Sequence, residues 1–507
     1  MSQISIMLTI IIYLILMVYI GVFFSRRNRN TDDFYLGGRK LGPFVVAMSA
    51  EASDMSSYLL MGLPGLAYLA GTCEVGWTAI GLAIGTYLNW LFVSRRIRLY
   101  THVTESITLP AFFSNRYGDS KRLLSSVAAV IIIIFFIPYT ASGFAACGKL
   151  FRSLFNADYT IAMIICAIII IVYCALGGFS AASTTDLIQS IIMSIALISI
   201  IVFGITQAGG FGAVIDNAKS LPGYLSLNHS YSVDTNSSNP YSLLSICSTL
   251  AWGLGYFGMP HILLRFMAIE DDQKLKLSRR VATVWVVIAM GIAIFIGIMG
   301  NAMAHLGILE TLTGSNSETI IVQISALIST YGILPSILTG VILAGILAAT
   351  MSTADSQLLA AASSVSENIV KDLFHIELDE KKRLVVARAT LIVIAVIGVF
   401  LARDPDSSVF GIVSFAWAGF GATFGPVVLL ALFWKRSNLQ GALCGMVVGG
   451  VMIFVWKYVI ASLGGVFAIY ELLPAFVIAL VVNIVVSLLT PAPSKEVTDT
   501  FEAVKKM

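Results

Sequence analysis

The chain has 507 residues, of which 58% are apolar or aromatic and only 12% charged, against roughly 25% charged in a soluble domain. A soluble core cannot enclose so much apolar surface, so lipid must serve as solvent for much of it. The net charge of +3 is a matter of topology, and no basic, aromatic-interleaved segment suggests a nucleic-acid partner.

Segments long enough to cross ~30 Å of hydrocarbon fall near 6–24, 42–70, 75–93, 123–147, 158–176, 185–206, 241–266, 281–305, 335–362, 385–402, 407–433, 438–457 and 469–490. The first lacks a basic n-region and a small-residue cleavage site, so it reads as a retained helix. Residues 319–331 read as a separate short helix before Pro335. The longest connection, 207–240, is rich in Asn, Ser and Gly. The six Cys (73, 147, 166, 174, 247, 444) form no CxxC or Cys/His cluster, which argues against a disulfide framework or a zinc site.

Basic residues alternate between loops. Arg26, Arg27, Arg29, Arg39 and Lys40 fill the first, Arg95 to Arg122 the next, then Arg265 to Arg280, Lys371 to Arg388, Lys435 with Arg436, and the tail lysines. Of the 31 Lys and Arg, the opposite face holds only Lys149, Arg152, Lys219, Arg403 and Lys457. The positive-inside rule then puts the N-terminus outside and the C-terminus in the cytoplasm, across the cell membrane.

Two spans carry strong helix breakers. Ala47-Met-Ser-Ala-Glu-Ala-Ser-Asp-Met-Ser-Ser57 precedes Gly62, Pro64 and Gly65, and Trp252-Gly-Leu-Gly-Tyr-Phe-Gly-Met-Pro260 interrupts another span. Irregular backbone at membrane depth survives only where protein buries it or a cavity lies beside it, and such breaks mark transport sites. Gly and Pro also kink ordinary membrane helices. These are the second and seventh spans, a spacing that suits an inverted repeat of five plus five helices.

Intramembrane carboxylates are costly. Asp54, beside carbonyls freed by the first break, suits a hard cation such as sodium. Glu51 lies one turn before it, and a proton held by Glu51 relieves their repulsion. Ser352, Asp355 and Ser356 share one helical face, with Thr353 beside them; such hydroxyls either glue helices or bind an ion. Asp186, at the start of a span, either caps that helix or handles an ion. Tyr139, Trp252 and Tyr256 offer aromatic walls, the last two sharing a face at i, i+4. No H-E-x-x-H, nucleophile elbow or P-loop points to an enzyme, and the five His are scattered.

At these residues the chain resembles the sodium/solute symporter family, and within it the bacterial sodium/proline symporters. The motifs run in order: Ala-Ser-Asp-Met-Ser (52–56), Met-Gly-Leu-Pro-Gly (61–65), Tyr-Thr-Ala-Ser-Gly (139–143), Trp-Gly-Leu-Gly-Tyr-Phe-Gly (252–258), Pro-His-Ile-Leu (260–263), Met-Ser-Thr (351–353), Ala-Trp-Ala-Gly-Phe-Gly-Ala (416–422) and Gly-Pro-Val-Val-Leu (425–429). The resemblance implies an all-α polytopic membrane protein with a LeuT-like core of two inverted five-helix repeats, 42–206 and 241–433. An N-terminal helix and loop (1–41), an extracellular loop (207–240), two C-terminal helices (434–490) and a cytoplasmic tail (491–507) complete it. It implies sodium as the coupled ion, bound by the Ala52, Met55 and Ala349 carbonyls and the Ser352 and Thr353 hydroxyls, with Asp54 critical to it. Ser53, Ser56, Tyr139, Trp252, Tyr256 and Pro260 match positions linked to proline. Asp186, Asp355 and Ser356, with Ser352, resemble the place where some relatives bind a second sodium.

The chain departs from the proline-type pattern at Glu51 and Ser57, where Gly is usual, at Met259, where Gln is usual, and at Asp355. The resemblance therefore implies import of proline, or of another small amino acid or a monocarboxylate. A non-transporting sensor or channel of the same fold is the reading from another class.

Overall fold

A computed structural model describes residues 2–26, 31–374, 376 and 378–507. Arg27 and Arg29 of the first basic loop, and His375, lie outside the described residues. The chain is almost wholly helical. The helices used below are α1 (Ser2–Ser25), α2 (Pro43–Ser57), α3 (Leu63–Ala70), α4 (Cys73–Leu88), α5 (Leu123–Phe155), α6 (Tyr159–Gln207) and α7 (Leu243–Leu250). After them come α8 (Pro260–Ala268), α9 (Leu275–His305), α10 (Ile333–Ser363), α11 (Glu380–Leu401), α12 (Val409–Phe433), α13 (Leu439–Val455), α14 (Leu472–Leu489) and α15 (Lys495–Lys506).

The arrangement is that of a membrane protein. Large apolar side chains point outward along whole helices, among them Ile11 and Ile15 on α1, Ile198 and Val202 on α6, and Val393 and Val396 on α11. Polar side chains such as Ser49, Asp54, Asp186 and Arg265 are buried inside. That inversion is stable only with hydrocarbon outside.

Among the described residues, ten helical runs are long and apolar enough to cross a membrane, against thirteen spans expected. The span expected at 42–70 is broken at Ser56, near the end of α2, and that at 241–266 between α7 and α8. The two expected at 158–176 and 185–206 form the single run α6, divided at Gly178. Its 49 residues would measure about 74 Å if straight, far more than one crossing needs. The division suits glycine, because Gly178 sits at φ 64°, ψ −163°, a region that strains residues with a Cβ.

Smaller differences follow the same logic. The 207–240 connection holds a helix, Phe211–Ser220, and an antiparallel hairpin of His229–Ser232 with Ser237–Pro240. The tail is not a free strand of chain: α15 buries Val497, Phe501 and Val504, and Arg116 stacks 5.0 Å from the Phe501 ring. Beside it, Lys435 bonds Glu502 and holds that exposed carboxylate below its usual range.

In the interior α10 packs against α6, α1, α2 and α5, which places its hydroxyl-rich stretch beside the first break. The second broken segment packs against α12 and α4. A Cβ at Gly85 would meet the Gly253 carbonyl at 2.3 Å, so glycine is required for α4 to touch that backbone.

Candidate ion and solute site

The first break is a single residue. Ser56 adopts φ 49°, ψ −168° inside α2, left-handed for a residue that carries a Cβ, and its hydroxyl accepts the Tyr58 N–H at 3.1 Å. A π-helical turn, Tyr58–Gly62, and then α3 continue the chain. The second break is wider. Ala251–Gly258 winds as a 3₁₀ segment, Met259 is extended, and Pro260 starts α8, where its missing N–H would have no helical partner anyway.

Freed backbone carbonyls in an apolar interior need donors, and here side chains supply them. Ser352 donates to the Ala52 carbonyl at 2.8 Å and shares the Ala349 carbonyl, at 3.2 Å, with Thr353 at 3.1 Å. Tyr139 donates to the Asp54 carbonyl at 3.4 Å. At the second break Asn89 donates to the Tyr256 carbonyl at 3.0 Å, and the Trp417 indole to the Trp252 carbonyl at 2.8 Å.

Four of the expected sodium ligands, Ala52, Ala349, Ser352 and Thr353, therefore meet where α2 crosses α10. The set is all oxygen, which suits a hard alkali cation. For these hydroxyls to face a cation, their protons must turn off the carbonyls that they now serve. The Met55 carbonyl takes the Tyr58 N–H. The Asp54 carboxylate faces elsewhere: its Oδ2 accepts the Tyr256 hydroxyl at 2.5 Å.

Beside this cluster, Ser56, Tyr139 and Thr353 line a cavity of ≈ 10 Å³, the size of roughly one water. Ser57, Thr140, Ser142 and Gln357 also line it, and Thr140 bonds Gln357 at 3.0 Å. Thr140 and Ser142 stand inside the 139–143 motif, and Gln357 lies one turn beyond Thr353, so helical spacing from named residues was the signal for them. A solute reaches this place only if the segments move apart. A groove of ≈ 470 Å³ beside Trp285 and Ile288 opens on the apolar outer surface and has no part in the site.

Other expected solute residues scatter. Ser53 turns its hydroxyl back to the Ala50 carbonyl at 3.0 Å, and Pro260 opens α8 without lining the cavity. Trp252 and Tyr256 do not share a face, because 3₁₀ winding has three residues per turn. Tyr256 points to Asp54, whereas Trp252 stacks on Tyr470 (ring centroids 5.1 Å apart) and Tyr58 (5.8 Å).

Glu51 is turned away from the cavity. Its Oε1 accepts Trp90 Nε1 at 3.1 Å and Thr86 Oγ1 at 3.3 Å, while Oε2 is buried without a partner among the described residues. It packs against α4, not against solute.

Two expectations about the second cluster need correction. Asp186 does not cap a helix: it lies eight residues beyond Gly178, inside α6, where backbone amides are already paired. Nor is Arg265 a cytoplasmic loop residue. It is wholly buried, and its Nη2 bonds Asp186 Oδ2 at 3.1 Å and also Ser356 Oγ. Asp355 is held by Tyr173 (2.8 Å) and Ser356 (3.0 Å). Arg265 was the residue missed; two unmatched carboxylates in the same membrane interior were the signal for a buried cation.

Comparisons with known proteins agree with this architecture. Residues 34–449 match the model of the sodium:solute symporter family. The chain is 41% identical over 507 residues to the sodium/proline symporter of Haemophilus influenzae, covering 99% of this chain and 97% of that one. It is 38% identical to the osmoregulated proline transporter OpuE of Bacillus subtilis, covering 100% of this chain and 99% of that one. A solved Na+-coupled sialic acid symporter, substrate-bound and outward-open, superposes with a TM-score of 0.79 over 97% of this chain and 99% of its own; at 18% identity it speaks for the LeuT-like fold alone. The chain belongs to the sodium:solute symporter family.

Proposed function

We propose that the chain is a sodium-coupled secondary active symporter that imports L-proline by alternating access. The observation that carries the coupling is the Ser352 hydroxyl on the Ala52 carbonyl. It joins α10 to the backbone at the first break, so a cation held there tightens the segment that also lines the small cavity. Bound sodium then raises solute affinity, and by linkage solute raises sodium affinity equally. The names of the relatives supply proline.

In this reading Ala52, Met55, Ala349, Ser352 and Thr353 hold the sodium, with Asp54 in support. Ser56 and Tyr139 face the solute from the cavity, with Trp252 and Tyr256 behind them. The two breaks fall at equivalent places of the repeats 42–206 and 241–433. Basic loops orient the chain with its N-terminus outside and its C-terminus in the cytoplasm.

Ser57 lines the cavity at a position where the proline-type pattern of the resemblance has Gly, and this favours a second reading with another small amino acid or a monocarboxylate as solute. Uptake into proteoliposomes under an imposed inward sodium gradient separates the two. Labelled proline should accumulate and other solutes compete weakly. A monocarboxylate that accumulates while proline does not replaces the solute, and no sodium-stimulated uptake of any of them removes the reading.

A further inference from the structure

Away from the ion and solute site, α6 and α9 part on the lipid-facing surface around the groove of ≈ 470 Å³. Ser194 and Ile198 of α6 stand on one side, Arg280, Trp285 and Ile292 of α9 on the other, and Met48 of α2 also lines it. From Arg280 to Ile292 the α9 wall runs about 18 Å. One leaflet of a ~30 Å hydrocarbon core is of similar depth.

Of the polar side chains in this lining, two satisfy each other. The Trp285 indole donates to Ser194 Oγ at 3.0 Å, and Ser194 donates to the Ser190 carbonyl at 2.8 Å. Arg280 is exposed and has no hydrogen bond or ion pair among the described residues. Lys276 and Arg279 stand within four residues of it, also without a carboxylate partner among the described residues; Arg279 lies over the Tyr87 ring at 5.4 Å. The acids just before them are engaged, Glu270 with Lys274, Asp271 with the Gln273 amide and Asp272 with Arg95. The groove is therefore apolar along its length and cationic at one end. A groove of ≈ 420 Å³ beside Val130 and Phe454 has no charged residue in its lining. In another of ≈ 300 Å³, Arg403 is stacked on Phe400 at 4.2 Å.

We propose that the groove between α6 and α9 binds one anionic phospholipid, its acyl chain along Trp285 and Ile292 and its phosphate on Arg280. Charge complementarity carries the choice: basic pockets between transmembrane helices recognise anionic headgroups. An arginine there lays its stem along apolar surface and keeps its charge at the interface. The chain seated in the groove touches Met48, one residue before Ser49, and so supports α2 ahead of the first break. The inference is independent of which solute or ion the protein moves.

Native mass spectrometry of the full chain, incubated in detergent with phosphatidylglycerol or phosphatidylcholine, tests it. One phosphatidylglycerol should remain bound under activation that strips phosphatidylcholine. Arg280→Ala should weaken that retention about fivefold, the effect of one basic contact, and Arg280→Lys should keep it. Lys121→Ala, in another basic loop, should leave it unchanged. Val284→Trp fills the groove from an exposed position and should expel the lipid. Arg280, Lys121 and Val284 are all exposed, so these variants leave the packed interior intact. Equal retention of the two lipids, displacement of phosphatidylglycerol by millimolar inorganic phosphate, or unchanged retention in either Arg280→Ala or Val284→Trp overturns the inference.

Discussion

The Tyr256 hydroxyl donates a 2.5 Å hydrogen bond to Asp54 Oδ2, so a side-chain hydrogen bond ties the two broken spans together next to both breaks. Asp54 thus organises the site through Tyr256, while the hydroxyls of α10 sit on the neighbouring carbonyls. A hydrogen bond to a charged group contributes about 1.5–3 kcal/mol. Tyr256→Phe and Asp54→Asn should each lower apparent sodium affinity, by roughly 10- to 100-fold on that scale. The double variant should be little worse than the poorer single one, since both remove the same contact. Strict additivity in a double-mutant cycle of sodium activation would count against a shared role.

Ser352→Ala and Thr353→Ala each delete an oxygen at the crossing of α2 and α10. Losing one such ligand should cost about 1–3 kcal/mol, read as a 5- to 100-fold rise in the sodium concentration for half-maximal uptake. Ser352→Ala should be the worse of the two, because it also strands the Ala52 carbonyl. Unchanged sodium dependence in both removes the proposed ion site.

Trp252 lies in a stack with Tyr58, Phe410 and Tyr470, behind the cavity rather than in its wall. Trp252→Ala should raise the KM for solute by about tenfold, more than it raises that for sodium, because loosened packing behind the break misplaces Ser56 and its neighbours. Trp252→Phe, keeping most of the packing, should recover most of the loss. Equal effects on both KM values would argue for general loosening only.

Glu51→Gln keeps an acceptor for Trp90 and Thr86 and removes the possibility of charge. Uptake within about twofold of the wild type is expected if Glu51 is a neutral hydrogen-bonding wedge. Loss of uptake with normal expression would place its proton in the transport cycle.

Glu318 ties three elements together. It bonds Lys149 at 2.8 Å and caps α12 through the Val409 and Phe410 amides. Glu318→Ala strands a buried ammonium and leaves the Val409 and Phe410 amides without their acceptor, so it should cost about 3–5 kcal/mol in detergent unfolding. Lys149→Met should cost clearly less, since the cap remains. Equal losses would show that the ion pair alone matters.

Composition and charge alternation made the membrane, the helices and their order legible, because the bilayer requires long apolar helical spans whatever the side chains inside them do. The breakers at 56–65 and 253–260 were legible for the same reason: Gly, Pro and hydroxyls in mid-span have few other uses. The cluster of Ala52, Ala349, Ser352 and Thr353 came from family motifs, and the structure brought them into contact. What each polar group meets was decided only by the tertiary fold. Asp54 found Tyr256, Asp186 found Arg265, and Glu51 turned to Trp90, since partners at sequence separations of tens to hundreds of residues leave no local trace. The number of helical runs was likewise a tertiary outcome, because a backbone leaves the helix only where packed neighbours such as Ser352 and Trp417 take over its hydrogen bonds.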